Sequence, residues 1–325
     1  MCDWLVLFSV HLANKWDGAL QPLVIQCSLN EINMLSVYVM NNVFTGDALT
    51  EKADTAHNIE KLHTRRSILS AFCKLIAYNC VPIKYAAEIL RSYTKYSAAY
   101  GDIIKSLLGA CREISKVNTA RTIALALQRE YNDVVTGMQN GSSGESVSKL
   151  TEFAGVKELA RKLCLSFGPE AGVRSRDAIL TVHTEAIGYA RDSASRANQA
   201  PANLPFLELI IDFSSRLSPQ AKVVLAELDK AFAKRANKIE QNNWQPYYSY
   251  RLSLMDEVAG ATGNSGPHNP AGTEASLAEQ ENLTPSKLSR KRKLNHSAAP
   301  GNMSGVSRLR QSLNFERSKQ IDKTI

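Results

Sequence analysis

Residues with catalytic potential are scattered along this chain. The sequence contains no G-x-x-x-x-G-K-[ST] phosphate loop, no H-E-x-x-H zinc motif and no G-x-S-x-G nucleophile elbow. No histidine lies at ligand spacing with a cysteine. His183 and Glu185 are two residues apart, so on a helix their side chains point in different directions. We therefore predict a protein that is not an enzyme and has no metal or cofactor, with His183 at a surface or boundary position. A site assembled from distant residues remains the weaker alternative.

One aromatic cluster could instead bind a partner. Trp244, Tyr247, Tyr250 and Arg251 follow one another closely, and tryptophan, tyrosine and arginine concentrate the binding energy of protein interfaces. The alternative is a terminal helix that packs these rings against the preceding one and closes the core. The sequence favours packing but leaves both interpretations open.

The net charge of +8 is confined to one end of the sequence. Residues 284–325 carry ten Lys and Arg against two acidic residues, whereas residues 1–283 carry 29 of each sign. A basic segment of this kind attracts nucleic acid, acidic proteins or an import receptor. Five of its basic residues fall within seven positions: Lys287, Arg290, Lys291, Arg292 and Lys293. This run suits a nuclear localisation signal or phosphate contacts, and the alternative is a solvated run of charges.

A candidate phosphorylation site precedes this basic run. Thr284 and Pro285 begin a T-P-x-K sequence of the kind that proline-directed kinases favour. A phosphate on Thr284 would add negative charge beside the basic run and weaken its binding to nucleic acid or to an import receptor.

Helical periodicity dominates the body of the chain. Apolar residues recur at three- and four-residue steps, as in Ile32, Leu35, Val39 and Val43, and strand-like alternation is almost absent. The pattern predicts an all-α fold of antiparallel helix pairs, either stacked as a HEAT-like solenoid with a repeat near 40 residues or gathered in a compact bundle. Predicted helices cover residues 31–44, 56–79, 83–97, 101–115, 118–136, 154–167, 175–191, 205–216, 219–238 and 242–255.

Proline and glycine mark several predicted helix ends. Pro82 is expected to close the second helix, because proline cannot extend the hydrogen-bonded ladder. Gly168 followed by Pro169 reads as a stop signal with a left-handed glycine. Ser218 and Pro219 read as an N-cap followed by proline at the first helical position.

Composition predicts three regions and a reducing compartment. Residues 1–30 remain unassigned, residues 31–255 form the helical domain, and residues 256–325 form a disordered basic tail, since they bury too little apolar surface to fold. The run 1–10 (MCDWLVLFSV) is similar to a signal-peptide core but lacks the basic residues that normally precede one. No apolar run approaches the roughly 18–20 residues of a membrane span. Six cysteines without a C-x-x-C pair favour buried thiols.

Several longer segments resemble the stromalin (SA) family of cohesin subunits. They occur in the family's order with comparable spacing, which is far more specific than any short motif. The resemblance covers about residues 31–255. The matching blocks are residues 41–44 (NNVF), 59–78 (IEKLHTRRSILSAFCKLIAY), 93–96 (YTKY), 100–105 (YGDIIK), 155–168 (GVKELARKLCLSFG), 203–217 (NLPFLELIIDFSSRL) and 244–254 (WQPYYSYRLSL).

The resemblance implies a non-catalytic HEAT-repeat scaffold in the nucleus. Such a subunit binds the kleisin of the cohesin ring, and through it the SMC proteins, and supports DNA engagement in sister-chromatid cohesion. The family's N-terminal half is not matched, so a fragment, an incomplete gene model or a truncated paralogue is expected. Four cations of the body are candidate DNA contacts: Arg65, Arg66, Lys74 and Lys84. The alternative is that they lie on solvated helix faces. A generic helical-repeat adaptor or nuclear transport receptor is the alternative function.

Overall fold

The described part of the chain is helical throughout. A computed structural model describes residues 18–19, 22, 27–45, 56–140, 147, 151–168, 174–192, 200–217, 219–236 and 241–262. All of these residues fall in one compact unit, which lies within Met1–Pro267. The described residues contain no strand, which confirms the all-α prediction. Residues 256–262, at the start of the predicted disordered tail, are helical. The rest of that predicted tail, including Thr284 and the basic run at 287–293, lies outside the described residues, and the predicted domain boundaries remain predictions.

Ten α-helices and three short 3₁₀ segments build this described part. None of these helices is long and apolar enough to cross a membrane. The α-helices are α1 Leu29–Val43, α2 Ala56–Ala77, α3 Ala86–Arg91, α4 Ser97–Ile114, α5 Lys116–Asn140, α6 Thr151–Leu165, α7 Arg176–Asp192, α8 Ile211–Ser214, α9 Ala221–Ala236 and α10 Gln245–Thr262. The 3₁₀ segments are Ile83–Tyr85, Leu204–Ile210 and Gln241–Trp244.

Local side-chain chemistry explains several helix ends. The Ser28 hydroxyl accepts a hydrogen bond from the Glu31 amide while the Glu31 carboxylate accepts one from the Ser28 amide, a reciprocal capping box that starts α1. Asn79 takes a left-handed φ of 58° and ends α2 before Pro82 is reached. Gly168 has a φ of 80°, which confirms the predicted left-handed stop after α6.

The start of α9 differs from its prediction. Pro219 lies in a turn, and the first helical residue is Ala221, so proline does not occupy the first helical position. The Gln220 amide donates to the Leu217 carbonyl in this turn, which places the helix start two residues later than expected. Ser218, the predicted N-cap, lies outside the described residues.

Helices pack mainly against elements near them in the sequence. α1 contacts α2, α2 contacts α4, and α3 and α4 both contact α5. α5 then contacts α6 and α7, α7 contacts α9, and α9 contacts α10. The Leu204–Ile210 segment lies between α6, α7 and α10. One continuous apolar core therefore runs through the described helices.

Tyrosine hydroxyls tie the first helices together. The Tyr100 hydroxyl donates to the Val43 carbonyl at 3.1 Å, and the Tyr96 hydroxyl donates to the Phe44 carbonyl at 3.0 Å. These carbonyls end α1 and have no partner within the helix. Both tyrosine rings also contact the Phe44 ring edge-on. The rings are buried, and their hydroxyls complete the C-terminus of α1.

None of the five cysteines in the described residues forms a disulfide. Cys73, Cys111 and Cys164 are buried, and Cys27 and Cys80 are half-buried. Burial raises the pKa of Cys73 and of Cys111 to about 12, which keeps both thiols protonated and poorly nucleophilic. These thiols therefore serve as core side chains, as the sequence predicted.

Candidate interaction surfaces

Arg66, a candidate DNA contact, holds α2 against α4. Its guanidinium donates to both carboxylate oxygens of Asp102, at 3.1 and 2.5 Å, and to the Ala99 carbonyl. The hydrogen bond from Arg66 holds the pKa of Asp102 below its usual value. The charge of Arg66 is thus balanced within the protein, which reduces its capacity to attract a phosphate.

The other three candidate cations differ in exposure and in direction. Arg65 is half-buried, and Lys74 and Lys84 are exposed. Nine residues separate Arg65 from Lys74 on α2, which turns their directions about 180° apart at roughly 100° per residue. The Lys84 ammonium lies 5.5 Å from the centre of the Tyr85 ring. DNA contact by these residues stays a prediction, and the helical geometry of α2 directs Arg65 and Lys74 to opposite sides of that helix.

The aromatic cluster lies in the core. Trp244 and Tyr250 have no exposed surface, and Tyr247 is 3% exposed. The Trp244 ring meets the rings of Phe232 and Tyr247 edge-on at 6.3 and 6.0 Å, a favourable arrangement for aromatic pairs. These contacts join α9 to α10 and fit the packing interpretation rather than an exposed aromatic surface.

Arg251 is the member of the cluster that reaches solvent, and it is paired. Its guanidinium donates to both oxygens of Asp229, at 2.8 and 3.1 Å, and the Tyr247 hydroxyl donates to the same carboxylate at 3.0 Å. The hydrogen bond from Arg251 lowers the pKa of Asp229, and burial raises the pKa of Tyr247 to about 12. This half-buried group fixes α10 on α9.

Tyr250 forms a buried hydrogen bond with His183. The Tyr250 hydroxyl lies 2.5 Å from the His183 Nδ1, and the two rings are stacked with centres 5.9 Å apart. His183 has no exposed surface, so the expectation of a surface or boundary histidine was wrong. Burial lowers its pKa to about 3, so the ring is neutral at physiological pH.

A charged network between α3 and α5 was not found by sequence reasoning. The Arg91 guanidinium contacts the carboxylates of Glu88, Glu130 and Asp133. Arg129 contacts the other carboxylate oxygen of Glu88. Arg91 is 21% exposed, so these hydrogen bonds are partly shielded from water. The acidic pair at 130 and 133, three residues apart on one helical face, is the sequence signal that could have indicated it.

Replacing Arg91 by alanine should destabilise the protein by about 1–3 kcal/mol, because three carboxylates lose charge-assisted hydrogen bonds. Urea denaturation followed by circular dichroism measures this loss. Lys222, an exposed cation on α9, provides the matched control, and Lys222→Ala should change the free energy of unfolding by less than about 0.5 kcal/mol. Equal effects of the two variants would contradict a structural role for the network.

An open cleft of about 640 Å³ borders this network. Its apolar lining comes from Val134, Met138, Val156 and Leu159, and its polar lining includes Arg91, Lys95 and Glu152. Among the described residues, no group of three or more His, Cys, Asp or Glu could hold a metal ion. The lining of the cleft thus combines apolar and charged side chains.

Comparison with known proteins identifies the helical body. Residues 116–258 match the family model of the STAG protein C-terminal domain. The "Cohesin subunit SA-1" of Xenopus laevis is 34% identical over 285 residues, which cover 84% of this chain and 22% of that protein. The "Cohesin subunit SA-3" of Homo sapiens is 30% identical over 87% of this chain and 24% of that protein. The Caenorhabditis elegans "Cohesin subunit scc-3" is 31% identical over 79% of this chain.

The matches cover most of this chain but only a small part of each relative. The matches to these relatives cover 79–87% of this chain, more than residues 116–258 of the family model. The chain nevertheless spans less than a quarter of the length of these relatives. The chain belongs to the cohesin SA (STAG) family, and residues 116–258 correspond to that family's C-terminal domain.

Proposed function

We propose that this chain is a non-catalytic scaffold of the cohesin complex, which binds the kleisin subunit and through it the SMC ring. The observation that carries this proposal is the match of residues 116–258 to the STAG C-terminal domain, within a body similar to three proteins named as cohesin subunits. The role belongs to sister-chromatid cohesion and places the protein on chromatin in the nucleus.

The packing pattern supports a HEAT-like array as the scaffold. Most helices contact a helix one or two places away along the chain, and local contacts of this kind are typical of stacked helical repeats. Ion pairs join helices within this body, Arg66 with Asp102 between α2 and α4 and Arg251 with Asp229 between α10 and α9. We expect an array of this kind to bind an extended kleisin segment through several of its helices.

Isothermal titration of the full chain with a purified cohesin kleisin tests the proposal. We expect a one-to-one complex with a Kd in the micromolar range or tighter, equivalent to a binding free energy of about −8 kcal/mol or more favourable. The matched control replaces Arg290, Lys291, Arg292 and Lys293 by alanine, which should leave the affinity unchanged because the body makes the contact. Absence of kleisin binding by the folded protein would contradict the proposal. Binding of nuclear import signal peptides instead would favour a transport adaptor.

The basic run is proposed to contact DNA phosphates or an import receptor. The same alanine variant at positions 290–293 should weaken binding to duplex DNA and lower the salt dependence of log K by roughly 0.9 for each phosphate that the protein no longer neutralises. Fluorescence anisotropy over a range of salt concentrations measures both quantities. The matched control replaces Arg308, Arg310, Arg317 and Lys319, which removes the same charge elsewhere. Equal effects of the two variants would show a general charge effect instead of a localised contact.

Thr284 is proposed to regulate this contact. Its phosphorylation would place two negative charges beside the basic run. Thr284→Glu should therefore weaken DNA binding in the same titration, and Thr284→Ala should not. Unchanged affinity for DNA and for an import receptor in the glutamate variant would contradict the regulation.

A further inference from the structure

The open cleft beside the Arg91 network is lined by three parts of the helical body. The turn after α3 contributes Thr94 and Lys95, the last turns of α5 contribute side chains from residues 130–138, and the first turns of α6 contribute side chains from residues 152–159. Its volume of about 640 Å³ falls within the roughly 300–1,000 Å³ of ligand pockets in proteins. The cleft is therefore large enough to hold part of a binding partner.

Aliphatic side chains form one part of the lining. Val134 and Met138 are half-buried and lie four residues apart on α5, whereas Val156 and Leu159 are buried and lie three residues apart on α6. Side chains at these spacings share one face of a helix. Contact with this part of the lining removes apolar surface from water, which favours an aliphatic side chain as the occupant.

Two glycines widen the cleft. Gly137 on α5 and Gly155 on α6 both line it and are exposed. A Cβ atom placed on either glycine would meet no described heavy atom within 4 Å, apart from the backbone of its own helix and the adjacent residues. Glycine weakens a helix, and packing within this part of the chain does not require it at either position. Its absent side chain does permit close approach of another backbone.

The charged part of the lining has an excess of carboxylates. It contains two cations, Arg91 and Lys95, and three carboxylates, Glu130, Asp133 and Glu152, so its formal net charge is −1. The carboxylate of Asp133 is the more accessible partner in its ion pair, since its side chain is 66% exposed and that of Arg91 is 21% exposed.

The two remaining charged groups of the lining have different surroundings. Glu152 is exposed in the first turn of α6, and its carboxylate accepts a hydrogen bond from the Thr151 hydroxyl at 3.1 Å. The Lys95 ammonium lies 5.4 Å from the centre of the Tyr96 ring, a distance at which the ring attracts the cation. The charge complementary to this lining is therefore positive.

We propose that this cleft binds a short segment of a partner protein in which an aliphatic side chain lies next to, or one residue from, a lysine or arginine. The aliphatic side chain contacts Val134 and Met138, the basic side chain pairs with Asp133 or Glu152, and the partner backbone passes over the glycines. Small-molecule sites enclose most of their ligand, whereas an open cleft suits one or two side chains of a longer chain. The inference is independent of kleisin binding.

Selection of phage-displayed random peptides on the purified full chain tests the proposal. Enriched peptides should carry an aliphatic residue beside a lysine or arginine, and their recovery should fall about tenfold or more on Gly155→Trp, whose indole obstructs the cleft. Gly109→Trp is the matched control and should retain the recovery. Gly109 is a helical glycine on α4 with the same free space around a placed Cβ, and it does not line the cleft. Absence of such peptides, or equal recovery on the two variants, would overturn the proposal.

Charge reversal tests the acidic part of the lining. Glu152→Lys should weaken the binding of an enriched peptide by about fivefold or more at low salt, because an attraction between exposed charges becomes a repulsion. Asp177, an exposed acidic residue at the equivalent position in the first turn of α7, provides the control, and Asp177→Lys should leave the affinity unchanged. Fluorescence anisotropy measures both affinities. Equal weakening by the two variants would show a general charge effect and would contradict a basic occupant of this cleft.

Thermal denaturation tests the role of the glycines separately from binding. Gly137→Ala and Gly155→Ala should each raise the melting temperature by about 2–4 °C, because alanine stabilises a helix and its Cβ has free space at both positions. A lower melting temperature in either variant would show that packing within the chain requires the glycine. That result would overturn the passage of a partner backbone over these positions.

Discussion

Replacing Trp244 by alanine is expected to destabilise the protein by about 3–5 kcal/mol, the cost of removing a large aromatic side chain from a packed core. Trp244 has no exposed surface and contacts the rings of Phe232 and Tyr247. Its loss would leave a cavity between α9 and α10, at the end of the described body. Urea denaturation monitored by circular dichroism measures the change in the free energy of unfolding.

Leu252, on the helix that follows Trp244, provides the control. It lies on α10 and is 59% exposed, so Leu252→Ala should change the free energy of unfolding by less than about 0.5 kcal/mol. If Trp244→Ala were as stable as Leu252→Ala but bound its partner more weakly, the indole would act as an exposed binding residue. That result would contradict the packed arrangement described above.

Acid should destabilise the protein through His183. Its buried ring has a pKa of about 3 in the folded state, compared with about 6.5 for an unperturbed histidine. Between these values the unfolded chain binds a proton that the folded chain excludes, so stability is retained above pH 6.5 and falls as the pH decreases. Between pH 6.5 and 4.5 this single group should cost about 2 kcal/mol.

The surroundings of His183 offer little compensation for a proton. Its Nδ1 faces the Tyr250 hydroxyl, and burial raises the pKa of that phenol well above its ordinary value, so Tyr250 stays neutral. The Phe213 ring meets the imidazole edge-on, and the Phe213 backbone favours the protonated form less than burial opposes it. The imidazolium would therefore be confined in an apolar pocket between α7 and α10.

Substitution of His183 isolates this contribution from the other acid-sensitive groups. His183→Gln should be less stable than the unaltered protein at pH 7 but should lose about 2 kcal/mol less between pH 6.5 and 4.5. His63, which is exposed on α2, is the control, and His63→Gln should keep the original pH dependence. A pH dependence that is identical in all three proteins would contradict the buried, neutral histidine.

The positions of the helices could largely be predicted, because the apolar period is regular. The run expected at 118–136 is α5, Lys116–Asn140, and that at 154–167 is α6, Thr151–Leu165. The prediction of a helix at 205–216 was less accurate, because much of this segment is the 3₁₀ helix Leu204–Ile210. Pro205 lacks the amide hydrogen that a regular α-helix uses. The run at 83–97 is likewise divided, by a turn between Arg91 and Ser97.

The surfaces could be predicted less well, because they depend on contacts between distant residues. A basic residue on a helix has the same appearance in the sequence whether it faces solvent or a carboxylate. Arg66 meets Asp102, 36 residues away, and Arg91 meets Asp133, 42 residues away. The aromatic cluster shows the same difficulty, since its burial depends on Phe232 and His183. Resemblance to a family identified the protein class from the sequence. Which side chains remain exposed for binding is determined by the packing of the helices.

Hydrogen–deuterium exchange of the full chain, with and without a cohesin kleisin, tests the central claim that the helical body is the kleisin scaffold. The account predicts slower exchange on kleisin binding in peptides from the helices of residues 116–258, the STAG C-terminal domain. Peptides from residues 284–325 should exchange at unchanged rates. Slower exchange confined to residues 284–325, with the helices unaffected, would contradict the account and assign partner binding to the basic segment.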